Sequence, residues 1–253
     1  MATYKKRGHI KSKSEDQLKA NQSSTTAEVF EKLDSSASRA EIFVAKYQNF
    51  ILIFIGIIAF SVLVFLGYKS FIYNPLLKEA TSELNQAQYY FNIALNEENS
   101  DSLYLRALNG GEGKYGFIDI IENYSGTPAA ELAKYSAGMS YMKLKDYKNA
   151  IYYLDEFSSK DLILLSLAYG SIGDAYLELN EHDKSLKFYE KAFGLDENNF
   201  TTPKFLFKAG LLSSSLNKKN KALKYFKKIT NDFPDSREYN FVEAQIGRLE
   251  NIN

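Results

Sequence analysis

Between Lys46 and Lys69 the chain runs from Tyr47 to Tyr68, twenty-two residues without a charge. A helix of that length rises about 33 Å at about 1.5 Å per residue, enough for a hydrocarbon core of about 30 Å. From Phe50 onward only Ser61, Gly56 and Gly67 interrupt the apolar run, whereas a buried core helix usually meets a polar residue or a breaker within about 14 positions. A cleaved signal peptide fits poorly, because the run starts after residue 46 and Gly67-Tyr68-Lys69-Ser70-Phe71 offers no small-residue cleavage pattern. Residues 47–68 are therefore expected to form a transmembrane helix, with Tyr47, Tyr68, Tyr73, Lys46 and Lys69 as interfacial anchors.

Orientation follows from the distribution of charge. The whole chain is neutral, but residues 1–46 carry nine Lys or Arg against six Asp or Glu, and residues 69–253 carry twenty-two against twenty-five. Short basic tails tend to stay cytoplasmic while long domains translocate largely regardless of charge, so the N-terminus is expected inside and residues 69–253 outside. Hydrophobic residues make up 45% of the chain and aromatic residues 15%, a composition that suits a folded, tethered domain. The absence of Cys excludes disulfides, a thiol nucleophile, an acylated Cys anchor and a thiolate zinc site.

Residues 1–24 are polar, rich in Lys, Ser and Gln and without an apolar period, so they are expected to be a disordered basic cytoplasmic tail. Thr25 with Glu28 three residues on is a capping-box pattern that starts an amphipathic juxtamembrane helix over 25–46. Phe30, Leu33, Ala37, Ala40, Val44 and Tyr47 follow at spacings of 3, 4, 3, 4 and 3, an apolar seam on one face. Two readings of the seam stand: a helix lying on the inner membrane surface, and a face for a partner helix or a second copy of the chain in a homo-oligomer. Beyond the span, Asn74-Pro75 should kink or restart the helix. Residues 69–100 then read as a stalk or first solenoid helix, with Ala80, Leu84, Ala87, Phe91 and Leu95 as its apolar line.

Internal similarity decides the fold class. Gly138, Gly173 and Gly210 lie thirty-five and thirty-seven residues apart in apolar helical stretches. The same frame surrounds each: Gly138 with Tyr141, Ala150, Leu154 and Phe157; Gly173 with Tyr176, Ser185, Tyr189 and Ala192; Gly210 with Ser213, Ala222, Phe226 and Ile229. Each unit reads as two helices joined by a short polar turn, so the expected fold is all-α, a single N-terminal transmembrane helix followed by an α-solenoid.

These residues resemble the tetratricopeptide repeat, whose unit has a small residue at position 8, an aromatic at 11, Ala at 20, an aromatic at 24, Ala at 27 and Pro at 32. The resemblance implies three repeats over 131–234, closed by Pro234, after a degenerate repeat over 101–130 and before a C-terminal capping helix over 235–253 that uses Tyr239, Val242, Ile246 and Leu249. In this family the concave face comes from positions 2, 5, 9 and 12 of each first helix. Carried over, these are Leu132, Tyr135, Met139 and Met142; Leu167, Gly170, Asp174 and Leu177; and Lys204, Phe207, Leu211 and Ser214. The resulting groove is apolar and methionine-bearing, suited to loose recognition of apolar segments. The alternative is that a further element covers this face and makes it core. Members that clamp the carboxylate terminus of chaperones use Lys, Asn and Arg where Tyr135, Met139 and Gly170 stand, so that role is set aside.

Catalysis is not expected: the two histidines are His9 in the tail and His182 in a turn, and no nucleophile–base spacing stands out. Gly111-Glu112-Gly113-Lys114-Tyr115-Gly116 fits a dinucleotide-binding string, but it follows a helical stretch, 102–108, where that fingerprint requires a strand. Neither a cofactor, a metal nor a nucleic-acid partner is expected. Lysines 218, 219, 221, 224, 227 and 228 crowd one helix and read as a solvated basic face, with an acidic partner or lipid headgroups as the second reading.

A basic tail, one uncleaved anchor and an exported repeat domain resemble the YfgM-type ancillary subunits of the bacterial SecYEG translocon, and the wording of residues 108–113 and 119–127 is similar to versions from the Bacteroidetes. That resemblance implies a single-pass protein of the bacterial inner membrane with a periplasmic repeat domain. It further implies SecYEG and a periplasmic membrane-anchored chaperone as partners, and a chaperone-like role toward unfolded or apolar segments of exported proteins. A structural scaffold for a cell-envelope complex, in division or outer-membrane assembly, is the alternative.

Overall fold

The structure, a computed structural model, describes residues 13–251 and divides into two units, Met1–Lys69 and Ser70–Asn253. Residues 1–12 of the expected basic tail lie outside the described residues. Among the described residues all regular structure is helical, apart from one isolated bridge between Gly111 and Lys114.

The first unit holds α1, Lys13–Tyr68. The helix starts well before the Thr25 cap, so residues 13–24, expected in a disordered tail, are helical. Adding turns to an existing helix avoids the cost of nucleation, and Glu15, Gln17, Leu18, Lys19 and Ala20 are good helix formers. Within the described residues one helical stretch is long and apolar enough to cross a membrane, and its apolar window has no buried share. The Ser61 hydroxyl donates to the Ile57 carbonyl at 2.8 Å, so the one polar side chain between Phe50 and Gly67 is satisfied within its own helix. The apolar surface begins before Tyr47, since Ile42 and Phe43 are also exposed.

A five-residue π-helical turn, Lys69–Tyr73, precedes α2, Asn74–Asn96. Pro75 sits in the first turn of α2, where a missing N–H leaves no intrahelical bond unmade, so the proline restarts the helix. Ala80, Leu84, Ala87 and Phe91 face inward, but Leu95 is 50% exposed and Ala94 takes the buried place, because a 3.6-residue helix drifts off a strict 4-residue step. Helices α3, Asp101–Asn109, and α4, Phe117–Asn123, pack with α2 onto α5, Pro128–Lys143. The glycine string is the link from α3 to α4: Gly110 and Gly113 have φ near +75°, and a Cβ at Gly116 would meet the Leu108 carbonyl oxygen at 2.2 Å. The string joins two helices, and the chemistry of a dinucleotide site has no strand to stand on there.

Three helix pairs follow: α5 with α6, Tyr147–Asp155; α7, Leu162–Glu178, with α8, His182–Gly194; and α9, Thr202–Ser215, with α10, Lys219–Asp232. One local device recurs in every pair. Lys145, Asn180 and Asn217, each seven residues after the frame glycine, are left-handed, with φ of 60°, 58° and 57°. The next N–H reaches back to the carbonyl of Tyr141, Tyr176 or Ser213 at 2.8–3.0 Å, closing the first helix in a Schellman-type turn before the second begins.

The glycines let the paired helices touch. A Cβ on Gly138 would lie 2.5 Å from Leu154 Cγ, on Gly173 2.6 Å from the Tyr189 ring, and on Gly210 2.3 Å from the Phe226 ring. Position 8 thus receives the side chain at position 24 in all three repeats. The longer second interval is taken up after α8, where the Asn198 carboxamide oxygen accepts from the N–H groups of Phe200 and Thr201 at 2.9 and 2.8 Å. Helix α11, Tyr239–Asn251, covers α10 with Val242 and Leu249 buried and Ile246 packed beside them.

Candidate protein-binding groove

The residues expected on the concave face divide by how far they stand out. Leu132, Leu177 and Leu211 are exposed; Tyr135, Met139, Met142, Leu167, Asp174, Lys204, Phe207 and Ser214 are half-buried. Tyr135 lies against Phe157 at 5.4 Å between ring centroids, and Met139 and Met142 rest on the core formed by Leu154, Phe157, Ala168 and Ile172. Phe207 bridges the buried Phe226 and the exposed Phe241 of α11, at 6.0 and 6.3 Å. Groove and core therefore share side chains. Gly170 is a correction: it is buried beneath the next repeat, since a Cβ there would fall 1.9 Å from Phe205 Cε1. The absent side chain makes room for the Phe205 ring of α9, which stacks on Tyr189 of α8 at 6.4 Å.

A cavity of about 340 Å³ opens between α7 and α9, walled by Leu177, Leu211, Leu212 and Ser215, whose hydroxyl donates to the Leu212 carbonyl at 2.8 Å, and floored by Asp174, Lys208 and Tyr189. Lys208 Nζ lies 2.6 Å from each Asp174 oxygen, and the Tyr189 hydroxyl donates to Oδ1 at 2.7 Å. Burial, and then the Asp174 carboxylate, push the Tyr189 phenol well above its ordinary range, so it remains a donor. Lys208, Leu212 and Tyr189 were not among the positions carried over from the repeat family. The sign of Lys208 was nonetheless readable, thirty-four residues after an acid on the preceding first helix. A second concavity of about 740 Å³ brings Leu132 together with Tyr73, Pro128, Phe157 and Leu164. At its edge Glu131 accepts from the Ser158 N–H at 2.8 Å and from Lys134 at 2.8 Å. Burial raises the Glu131 pKa, but these donors outweigh it and hold the carboxyl below its ordinary value.

The basic face of α10 is largely paired. Lys218 meets Asp183 at 3.0 Å, Lys221 meets Glu190 at 2.8 Å, and Lys228 meets Glu197 at 2.8 Å. The three acids stand seven residues apart on α8 and the loop after it, so they form a ladder that stitches the second repeat to the third. Lys227 pairs with Glu250 of α11 at 2.9 Å. These lysines join repeats, which removes most of the charge that an acidic partner or a lipid headgroup would meet.

In the first unit the seam residues Phe30, Leu33, Ala37, Ala40, Val44 and Tyr47 are all exposed. The Tyr47 ring lies 4.8 Å from that of Phe43, and Lys46 Nζ is 5.4 Å from its centroid. Among the described residues no group of three or more His, Cys, Asp or Glu gathers as a metal site.

Stacked helix pairs with this repeated contact of a glycine with a bulky side chain, Leu154, Tyr189 or Phe226, define an α-helical repeat protein. Sequence profiles described as tetratricopeptide repeat match residues 132–161, 167–199 and 205–236, and proteins built on that repeat bind other proteins. No curated protein matches the sequence. The crystal structure of BtubC (BKLC) from P. vanneervenii is similar to it at a TM-score of 0.37 and 16% identity, over 69% of this chain; the chain spans 65% of the length of that protein.

Proposed function

We propose that this chain is a membrane-anchored adaptor of the bacterial inner membrane, crossing it once with residues 47–68, with the N-terminus cytoplasmic and the repeats periplasmic. Its groove holds unfolded or apolar segments of exported proteins, and it serves as an ancillary subunit of the SecYEG translocon beside a membrane-anchored chaperone. The observation that carries this reading is the pairing, in one chain, of a fully exposed apolar helix long enough to span a bilayer with a repeat domain whose groove keeps Leu132, Leu177 and Leu211 uncovered. The exposed seam supports a protein contact on the cytoplasmic side. The charges of residues 25–46, Lys32, Arg39 and Lys46 against Glu28, Glu31, Asp34 and Glu41, sum to a small negative excess that does not favour an anionic lipid surface.

Two measurements test the reading together. Protease added to intact spheroplasts is expected to digest the repeats and leave an anchored fragment; survival of the repeats, with a periplasmic control cleaved, overturns the topology. Photo-crosslinkers placed one at a time from Leu33 to Gly67 are expected to capture a translocon or chaperone subunit with a three-to-four-residue recurrence. Crosslinks to lipid or to a second copy alone would replace the translocon role with that of an envelope scaffold.

A further inference from the structure

The cavity between α7 and α9 sets an apolar wall against a single ion pair. Leu177, Leu211 and Leu212 supply the wall beside Ser215, whose hydroxyl is spent on the Leu212 carbonyl, and Asp174 and Lys208, each about one-third exposed, close their charges on one another at 2.6 Å. Tyr189 adds a further hydrogen bond to the same carboxylate. The carboxylate is thereby engaged from two sides.

We propose that this cavity is the groove's anchor pocket for one uncharged apolar side chain, such as leucine, methionine or phenylalanine, from a polypeptide segment lying across the repeats. The proposal rests on the protein-binding reading above and names what that groove selects. Charge decides against ionic guests. An incoming carboxylate must draw Lys208 away from Asp174, and an incoming ammonium must draw Asp174 away from both of its donors. Either guest also sheds its water into a partly buried site and strands the charge it displaces. An apolar side chain covers the leucines and leaves the pair intact. At about 340 Å³ the cavity sits at the small end of ligand sites, about 300–1,000 Å³, and admits a large apolar side chain. The surface continues from Leu211 to Phe207 and the exposed Phe241, so a segment anchored here has further apolar contacts along its length.

The test uses the full chain in nanodiscs and a set of fluorescent decapeptides identical except for one central guest, Leu, Phe, Ala, Asp or Lys. Leu and Phe peptides are expected to bind about tenfold tighter than Asp and Lys peptides, the discrimination a side-chain pocket supplies. Lys208→Met uncovers Asp174 and should shift preference toward the Lys guest; Asp174→Asn should shift it toward the Asp guest. The double variant Asp174→Asn/Lys208→Met keeps a neutral floor and should retain the apolar preference, which decides the matter if either single variant fails to fold. Peptides that bind equally whatever the guest would overturn the anchor while leaving a protein-binding groove. No binding by any peptide would overturn both readings. Displacement of the Leu peptide by a fatty acid, with no guest dependence, would assign the cavity to an acyl chain and overturn the proposal.

Discussion

Replacing Gly210 with alanine sets helix propensity against packing at one atom. In a helix interior alanine is favoured over glycine by about 1 kcal/mol. Against this, the new Cβ would lie 2.3 Å from Cε1 and 2.8 Å from both Cδ1 and Cζ of Phe226. That ring is fully buried, with Phe207 packed beside it, so it has little room to retreat. Overpacking a close-packed core costs about 1–3 kcal/mol, and a ring pressed on a helix backbone belongs at the upper end, which leaves a net loss of about 1–2 kcal/mol. For a protein of this size the melting temperature should fall by roughly 2–8 °C, read from helicity at 222 nm in detergent micelles. Gly247→Ala is the control: nothing lies within 4 Å of its added Cβ, so the same exchange should raise stability by about 0.5–1 kcal/mol. Phe226→Leu in the Gly210→Ala background should recover part of the loss, with a coupling of at least about 0.5 kcal/mol. A Gly210→Ala variant that melts at or above the parent temperature would refute the claim that close contact at the frame glycine holds each pair together.

Two further predictions follow from the turns and the ladder. Lys145 occupies the left-handed position that Asn fills in the other two repeats, so Lys145→Gly should stabilise the domain by about 0.5–1 kcal/mol in denaturant unfolding, and a loss would argue that the lysine side chain has a structural partner. Burial raises the pKa of Glu190, but Lys221 and Tyr225 more than offset it and hold the carboxyl below 4.5. A lowered folded pKa means that its stabilisation is present above the unfolded value and fades as pH falls through the folded one, so stability should decline below pH about 4.5 and Glu190→Gln should flatten part of that decline; an unchanged profile removes Glu190 from the ladder.

The fold class was legible because the features that specify it are local and periodic. A glycine on one helix and a bulky side chain sixteen residues later recur three times, and their contact needs no knowledge of the rest of the chain. The left-handed turn was half legible: Asn180 and Asn217 are residues that tolerate positive φ, but Lys145 carries no such signal, and only the shared register identifies it. Residues 13–24 misled because composition weighs a segment in isolation, whereas a neighbouring helix supplies the nucleus from which they extend.

The groove was harder to read because a family position states where a backbone points and not what occupies the space in front of it. Gly170 holds a concave position, yet its missing side chain is what admits Phe205, so glycine there reports a lock between repeats. Phe207 and Met139 hold such positions too, but their size takes them into core contacts, which places the free apolar surface on the leucines at 132, 177 and 211. Pairing across repeats was the signal left unused. Asp174 and Lys208 stand one repeat apart on successive first helices, and Asp183, Glu190 and Glu197 run at seven-residue intervals opposite the lysines of α10. In a solenoid, residues one repeat apart are neighbours. A charge seen along the chain as a patch for a partner should therefore first be matched against the opposite charge about one repeat away, and for four of the six α10 lysines an acid on an adjoining element or on α10 itself accounts for the charge.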